Sequence, residues 1–322
     1  MAKYFIITID TEGDNQWDLS RGISTENARY LPRFQDLCEK YSFKPVWLTN
    51  YEMAKDAFYV EYMRDCLVRG VCEVGMHLHA WYSPPEYSLP RVNQERAYLI
   101  EYPPEIMEAK VKFMTELLED TFQRQMVSHR SGRWALNETY LALLHKYGYQ
   151  VDCSVTPHVS WAGKPGCTGI PGSDYRAAPE RPYYIYTDLL EVPVSIRKIR
   201  CFQLKRVLSL RDFLRECRDY IKGKEQWLRP DKFLSEKGML RLVEIICKED
   251  TDYLMFMMHS SELMPGGSNT FTTKQRVEEL FVCMERLFSY IGQNYQGVTL
   301  KQYRELTAAR EGTRKNCEKT GN

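Results

Sequence analysis

The sequence predicts an α/β fold built on a parallel sheet, and three observations carry that expectation. Short apolar runs of strand character alternate with amphipathic, helix-like stretches along most of the 322 residues, the signature of successive βα units. The side chains best suited to chemistry come directly after those runs, at the carboxyl ends of strands where open parallel sheets and barrels gather their functional groups. No internal repeat or low-complexity tract breaks the pattern. Residues 1–307 therefore read as one domain with a helical insertion over 209–248, followed by a flexible polar tail over 308–322.

The first strand is the run Tyr4-Phe5-Ile6-Ile7-Thr8-Ile9, which leads into Asp10-Thr11-Glu12. Residues 27–41 place Tyr30, Leu31, Phe34, Leu37 and Cys38 at helical spacing,. Residues 45–49 read as a short buried strand and residues 58–69 as a helix. A second strand over 72–76 runs into His77-Leu78-His79, and a loop rich in aromatics and prolines follows to Pro90. Residues 106–122 form an amphipathic helix with Met107, Val111, Met114, Leu117 and Leu118 as its stripe,.

Residues 126–129 form a strand that delivers Arg130-Ser131-Gly132-Arg133-Trp134. A helix over 137–146 stops at Gly148, and a strand over 150–155 follows. The Gly- and Pro-dense stretch 161–182 reads as a loop over the site. After a strand at 189–194 comes the largely helical stretch 209–248, interrupted at Trp227-Leu228-Arg229-Pro230. The last core strand, 253–258, ends at His259. A long helix starts near Lys274, with Thr272 and Gln275 spaced as a capping box, and a short helix spans 300–306.

Composition narrows the classes. A net charge of +1 provides no general field for gripping nucleic acid or an anionic surface, and no apolar run is long enough to span a membrane. The chain enters its first strand without a basic and then apolar leader, which sets the expectation of a cytoplasmic protein. Ten cysteines include no Cys-x-x-Cys pair, so scattered reduced thiols are expected rather than a disulfide framework. The many aromatics permit a homodimer.

Period two puts Asp10 and Glu12 on one side of the first strand, and His77 and His79 on one side of the second. Two strand ends with matched pairs of metal-competent groups build one carboxylate–imidazole site, and three such ligands with open positions suit a catalytic zinc. A strand-end turn or helix N-cap is the bland alternative for the acids, and packed histidines for His77 and His79. For Arg130 it is a structural ion pair. His129 and His145 are given no role, and His158 lies at best near the site. Asp14 is an outlying metal candidate, and Asp18 belongs to the same loop.

The order of these motifs resembles the polysaccharide deacetylases, carbohydrate esterase family 4, or the NodB-homology domain. The acids match Thr8-Ile9-Asp10-Thr11-Glu12. The Gly-x-His motif matches Gly75-Met76-His77, the strand-end arginine matches Arg130, and the final apolar strand ending in histidine matches Met257-Met258-His259. Two departures stand out: one residue separates the acids, and the second histidine comes two positions after the first, with Trp81 at the usual fourth position. The His-x-His spacing and its loop resemble members in bacterial cell-surface polysaccharide biosynthesis.

The resemblance implies a distorted (β/α)7 TIM-like barrel that removes an acetyl group from an N-acetylated sugar or glycan precursor. Asp10 would be the base, Arg130 its partner and His259 the general acid. Glu12, His77 and His79 would hold a divalent metal, zinc first, with nickel, cobalt or iron as alternatives. The reverse assignment of Asp10 and Glu12 stays open. Trp81, Arg133, Trp134, Trp161 and Glu262 are the expected substrate contacts, with Trp227 weighed beside them. Competing readings are a deformylase or related amidohydrolase, an inactive carbohydrate- or partner-binding barrel, and a metal-free glycosidase using Asp10 and Glu191.

Overall fold

A computed structural model describes residues 2–16, 22–200, 207–234 and 236–320, the side chains of 311–320 excepted. Asp18 and Cys201 lie outside the described residues, as does the side chain of Cys317. Tyr4–Thr11, aromatic or β-branched at every position but Asp10, is buried along its whole length and forms β1, as a central parallel strand requires. The other strands are β2 (Val46–Thr49), β3 (Glu73–Leu78), β4 (Ser128–Ser131), β5 (Val151–Asp152), β6 (Tyr183–Tyr184), β7 (Leu190–Glu191), β8 (Ile196–Ile199), β9 (Lys224–Trp227), β10 (Tyr253–His259) and β11 (Gln296–Gly297).

The order β10-β1-β2-β3-β4-β5-β7 is parallel throughout, which gives the seven strands of the expected distorted (β/α)7 barrel. β6 joins β7 antiparallel, and β11 pairs with the start of β1. The sheet curls into a half-barrel whose ladder stays open between β7 and β10. Single bonds cross that seam. The Met255 N–H donates to Ser195 Oγ (2.8 Å), the Met257 N–H to Leu228 O (3.2 Å), and Tyr253 OH to Pro193 O (2.8 Å). Ser195 and Leu228 flank the antiparallel pair β8–β9, so this excursion closes the seam that the main strands leave open.

Alternation along the strands sorts the core into two layers. Phe5, Ile7, Ile9, Trp47, Val74, Met76 and Phe256 pack outward against the helices. Tyr4, Ile6, Val46, Leu48, Val151, Leu190, Met255 and Met257 fill the inside of the half-barrel. The helices are α1 (Leu31–Lys40), α2 (Tyr51–Ala54), α3 (Ala57–Arg69), α4 (Pro104–Phe122), α5 (Glu138–Lys146), α6 (Leu210–Lys222), α7 (Glu236–Cys247), α8 (Lys274–Ile291) and α9 (Leu300–Thr320). Asp56 caps α3 by accepting the Tyr59 N–H, and Asn137 caps α5 by accepting that of Tyr140,.

Several expectations need correction. The cap of α8 is Thr273, which accepts the Arg276 N–H, one position beyond the predicted Thr272. The stretch 209–248 is two helices separated by β9, whose polar Lys-Glu-Gln-Trp sequence hides its pairing with β8. Residues 27–41 open with a short 3-10 turn over Glu26–Tyr30 before α1. α9 runs to Thr320, well past residue 306. The eight cysteines whose side chains are described are all free, and no helix among the described residues is long and apolar enough to cross a membrane.

Candidate active site

Register brings the predicted residues together. Asp10 pairs with His259 across β1 and β10, and His77 pairs with Arg130 across β3 and β4. All four stand at the carboxyl end of the sheet, on its inner side. Glu12 follows β1 by one residue and His79 follows β3 by one. The Glu12 backbone is locked at both ends: its N–H donates to Ser260 Oγ (3.0 Å), while its carbonyl accepts from Ser260 Oγ (2.9 Å) and Asn27 Nδ2 (2.7 Å).

Arg130 is fully buried and points into the half-barrel. It donates to Asp10 Oδ1 (2.6 Å), Thr8 Oγ1 (2.8 Å) and Cys153 O (3.0 Å). Burial alone would raise the Asp10 carboxyl, but Arg130, His77 and His259 together hold it well below the usual carboxylate range,. With Oδ1 occupied, Oδ2 faces the cleft, 3.7 Å from His259 Nε2 and 3.9 Å from His77 Nε2.

Glu12, His77 and His79 are buried, and one ligand atom from each lies within 4.8 Å of the others. Glu12 Oε2 is 3.3 Å from His79 Nε2 and 3.8 Å from His77 Nε2. Two ligands on a tetrahedral ion, each about 2.1 Å away, stand about 3.4 Å apart, so these spacings fit a shared cation. The second nitrogen of His77, Nδ1, is 3.0 Å from Arg130 O. That contact turns Nε2 toward the cluster, as outer partners of metal-binding histidines do. The His79 ring stacks on Trp81, with centroids 4.3 Å apart. Burial and the charge on His77 depress His79 well below the ordinary histidine range, which leaves its ring neutral and able to coordinate,.

Opposite this cluster, His259 belongs to a chain of three groups. Its backbone N–H donates to Glu262 Oε2 (3.0 Å), its Nδ1 lies 3.7 Å from the same oxygen, and Arg229 donates to Glu262 Oε1 (2.8 Å). Burial alone would lower His259, but Glu262 and Glu12 outweigh it and raise it above the ordinary value. Glu262 is itself buried, a cost that Arg229 and His259 reverse, holding its carboxyl down at about 2. Glu262, expected as a substrate contact, has both oxygens engaged within the protein, one by Arg229 and one by the His259 backbone N–H.

The other expected substrate contacts divide. Arg133 is folded inward, donating to the carbonyls of Arg96 and Pro165 with its guanidinium 4.2 Å from the Tyr98 ring centroid, so it ties loops together. Trp134 and Trp161 stack at 6.3 Å, and Trp227 stands edge-on to both. Trp134 is buried, with the Arg130 guanidinium 5.1 Å from its ring centroid, while Trp161 and Trp227 are partly exposed. Asp14 is buried, accepts from Ser24 Oγ (2.7 Å) and does not join the Glu12–His77–His79 group. His145 and His158 pair with Asp188 and Glu180.

Glu191 lies on the wrong side of the sheet for the glycosidase reading. Its neighbours Leu190 and Val192 face inward, so Glu191 faces outward. There it sits beside Asp152 and accepts the Val155 N–H (3.0 Å). Two carboxylates on opposite faces cannot flank one glycosidic bond. The same outer layer holds His129, which joins Asp152 (2.6 Å) to Tyr140 (2.6 Å).

Arg229, which donates to Glu262 beside His259, is the residue of this arrangement that sequence reasoning missed. The one available signal was the break Trp227-Leu228-Arg229-Pro230, which returns the chain from an excursion to the mouth of the barrel. Arg229, His259 and Glu262 line a cavity of about 210 Å³ with Glu12, Gly267 and Ser268.

No protein-family model and no curated protein sequence matches this chain. Among solved structures, the fold is similar to that of a Mycobacterium smegmatis protein assigned as a polysaccharide deacetylase. The two are 14% identical over 97% of this chain and 92% of the other, at a TM-score of 0.55. It is also similar to 4-alpha-glucanotransferase from Thermococcus litoralis, at 13% identity over 94% of this chain and 40% of the enzyme, TM-score 0.55. A third likeness is TK1436, a GH57 branching enzyme from Thermococcus kodakaraensis, at 10% identity over 95% and 71% of the two chains, TM-score 0.54. The chain thus has the fold of polysaccharide deacetylases, which sugar-chain transferases share, and its chemistry has to be argued from the site.

Proposed function

We propose that this chain is a metal-dependent hydrolase that removes an acetyl group from an N-acetylated sugar or glycan precursor. The observation that carries the proposal is the buried Glu12–His77–His79 cluster facing one cleft with Asp10 and His259. A divalent cation held by Glu12, His77 and His79, zinc in our reading, would polarise the acyl carbonyl and make a bound water acidic near neutral pH.

Asp10 is the base. Its Oδ2 takes the proton from the attacking water, while Arg130 fixes Oδ1 and keeps the carboxylate ionised,. Among the described residues no arginine or lysine pairs with Glu12, which sits closest to His79, and this supports Glu12 as ligand and Asp10 as base. The water oxygen bonds to the acyl carbon, the C–N bond breaks, and His259 Nε2 gives its proton to the departing amine. Glu262 holds His259 by its backbone N–H and faces its Nδ1, so Nε2 points toward Asp10. Acid–base help of this kind contributes on the order of 10²–10⁴ in rate. Trp161 and Trp227 provide aromatic faces for a sugar ring at the mouth. The reading places the substrate among bacterial surface-polysaccharide precursors and the reaction on the cytoplasmic side.

The test is acetate release from N-acetylated mono- and oligosaccharides and carrier-linked N-acetyl sugars by zinc-loaded protein, with Asp10→Asn as control. Release that Asp10→Asn abolishes upholds the proposal. Folded, metal-loaded protein that releases no acyl group from any of them would overturn it.

A further inference from the structure

The buried stripe of α4 contains a lysine. Met107, Val111, Met114 and Leu118 are buried at helical spacing, and Lys110 falls among them at 2% exposure,. A lysine is almost never buried so fully unless it is paired. Lys110 Nζ donates to Ser83 O (2.5 Å) and Pro85 O (2.6 Å) and stands 4.9 Å from the Tyr102 ring centroid. An ammonium has three N–H donors, so the two carbonyls leave one over. Among the described residues no carboxylate lies within ion-pair distance of Nζ. Burial lowers the ammonium to about 8, Glu86 opposing only part of that, so it stays largely protonated at neutral pH.

Lys110 borders a cavity of about 520 Å³, within the range of about 300–1,000 Å³ for ligand pockets. Its other walls are mostly aromatic: Tyr51, Trp81, Tyr82, Tyr87 and Tyr102. Tyr82 and Tyr87 are 42% and 44% exposed. The cavity lies at the carboxyl end of the sheet, where Tyr51 follows β2 and Trp81 follows β3. Trp81 also stacks on His79, with centroids 4.3 Å apart, so its ring is shared between this cavity and the Glu12–His77–His79 cluster. These walls define the chemistry of a ligand. Aromatic faces receive the C–H face of a sugar ring, and tyrosine hydroxyls bond its hydroxyls. A buried ammonium calls for an anion, and a charge-assisted bond is roughly twice as strong as a neutral one. Glu86 also lines the cavity, but it is exposed, where solvent ions screen its charge.

We infer that this cavity binds a second sugar unit of the substrate, one carrying a carboxylate or a phosphate that pairs with Lys110 while the ring lies against the aromatic wall. The sugar is taken from the deacetylase proposal, on which this inference rests. The substrate is then an acidic glycan of at least two units rather than a single N-acetyl sugar.

The test is isothermal titration calorimetry of the full chain in the presence of zinc, with Asp10→Asn to prevent turnover. The probes are N,N′-diacetylchitobiose, its 1-phosphate, and glucuronic acid linked to N-acetylglucosamine. Lys110→Met removes the ammonium at similar length. Tyr82→Ala/Tyr87→Ala removes the exposed part of the aromatic wall and leaves the melting temperature as in the parent. The expected result is that an anionic probe binds about tenfold or more tightly than the neutral one. Lys110→Met abolishes that difference, and the tyrosine pair weakens every probe. Whichever anionic probe is preferred distinguishes carboxylate from phosphate. Equal affinity for charged and neutral probes would overturn the inference, as would no binding of any probe. So would a preference that Lys110→Met retains, which would place the anion elsewhere, or binding that the tyrosine pair leaves unchanged. Should Lys110→Met fail to fold, the tyrosine pair and the comparison of probes still decide. Acetate release by the parent is scored separately, so loss of this site and loss of the deacetylase reading are told apart.

Discussion

Replacing Glu262 by Gln keeps the shape of the group that orients His259 and removes its charge. Glu262 is buried between Arg229 and His259, and its carboxyl is lowered from the usual 4.5 to about 2. A carboxylate whose pKa falls on folding stabilises the protein above its unfolded value, and that contribution disappears as pH drops through the folded value. Lowering the carboxyl that far corresponds to a ceiling of roughly 3 kcal/mol, since a tenfold change in proton affinity is worth about 1.4 kcal/mol. Chemical denaturation of the parent and Glu262→Gln between pH 2 and 8 reads it directly. The gap should be widest from pH 5 upward and shrink between pH 4.5 and 2. His259 also loses the anion that raises it, so the alkaline limb of the pH–rate profile moves to lower pH. kcat at neutral pH falls on the order of tenfold or more, part of what general acid catalysis provides. A stability gap that is flat across the acid range, with an unmoved rate profile, would refute the coupling of Glu262 to His259.

Three further substitutions probe the same architecture. Gly132→Ala would push a methyl group against Leu78 O and to 2.6 Å from His79 Cδ2, so zinc affinity measured by competition with a chromophoric chelator should fall about 10–100-fold. Arg130→Met leaves Asp10 buried without its cation and should cost about 3–5 kcal/mol by denaturant titration, with acyl release lost even where the fold persists. Burial raises the Glu52 carboxyl to about 7, so the parent loses stability as pH rises from 4.5 to 7. Glu52→Gln removes that slope and should be more stable at pH 8 by up to roughly 3 kcal/mol.

Much of the centre was legible because period-two alternation and strand ends are local properties. Asp10, His77 and His259 each follow an apolar run, Arg130 follows a short strand-like one, and parallel pairing sets them side by side. Glu191 shows the limit. The run Leu190-Glu191-Val192 reveals that Glu191 opposes its neighbours, but not which face is the inside. Arg229 was hidden because β9 reads as polar sequence, and its place depends on a seam closed by isolated bonds from Ser195 and Leu228. Arg133 looked like a sugar contact because charge and aromatic neighbours are visible in sequence. The loop carbonyls of Arg96 and Pro165 that bind it are not.

The proposed chemistry depends first on Glu12, His77 and His79 holding one divalent ion. Metal analysis of protein purified without added metal, beside a His77→Ala/His79→Ala variant, addresses it most directly. About one zinc, nickel, cobalt or iron per chain is expected, absent from the variant although its fold is intact. A chain that takes up no metal even from excess zinc would contradict it.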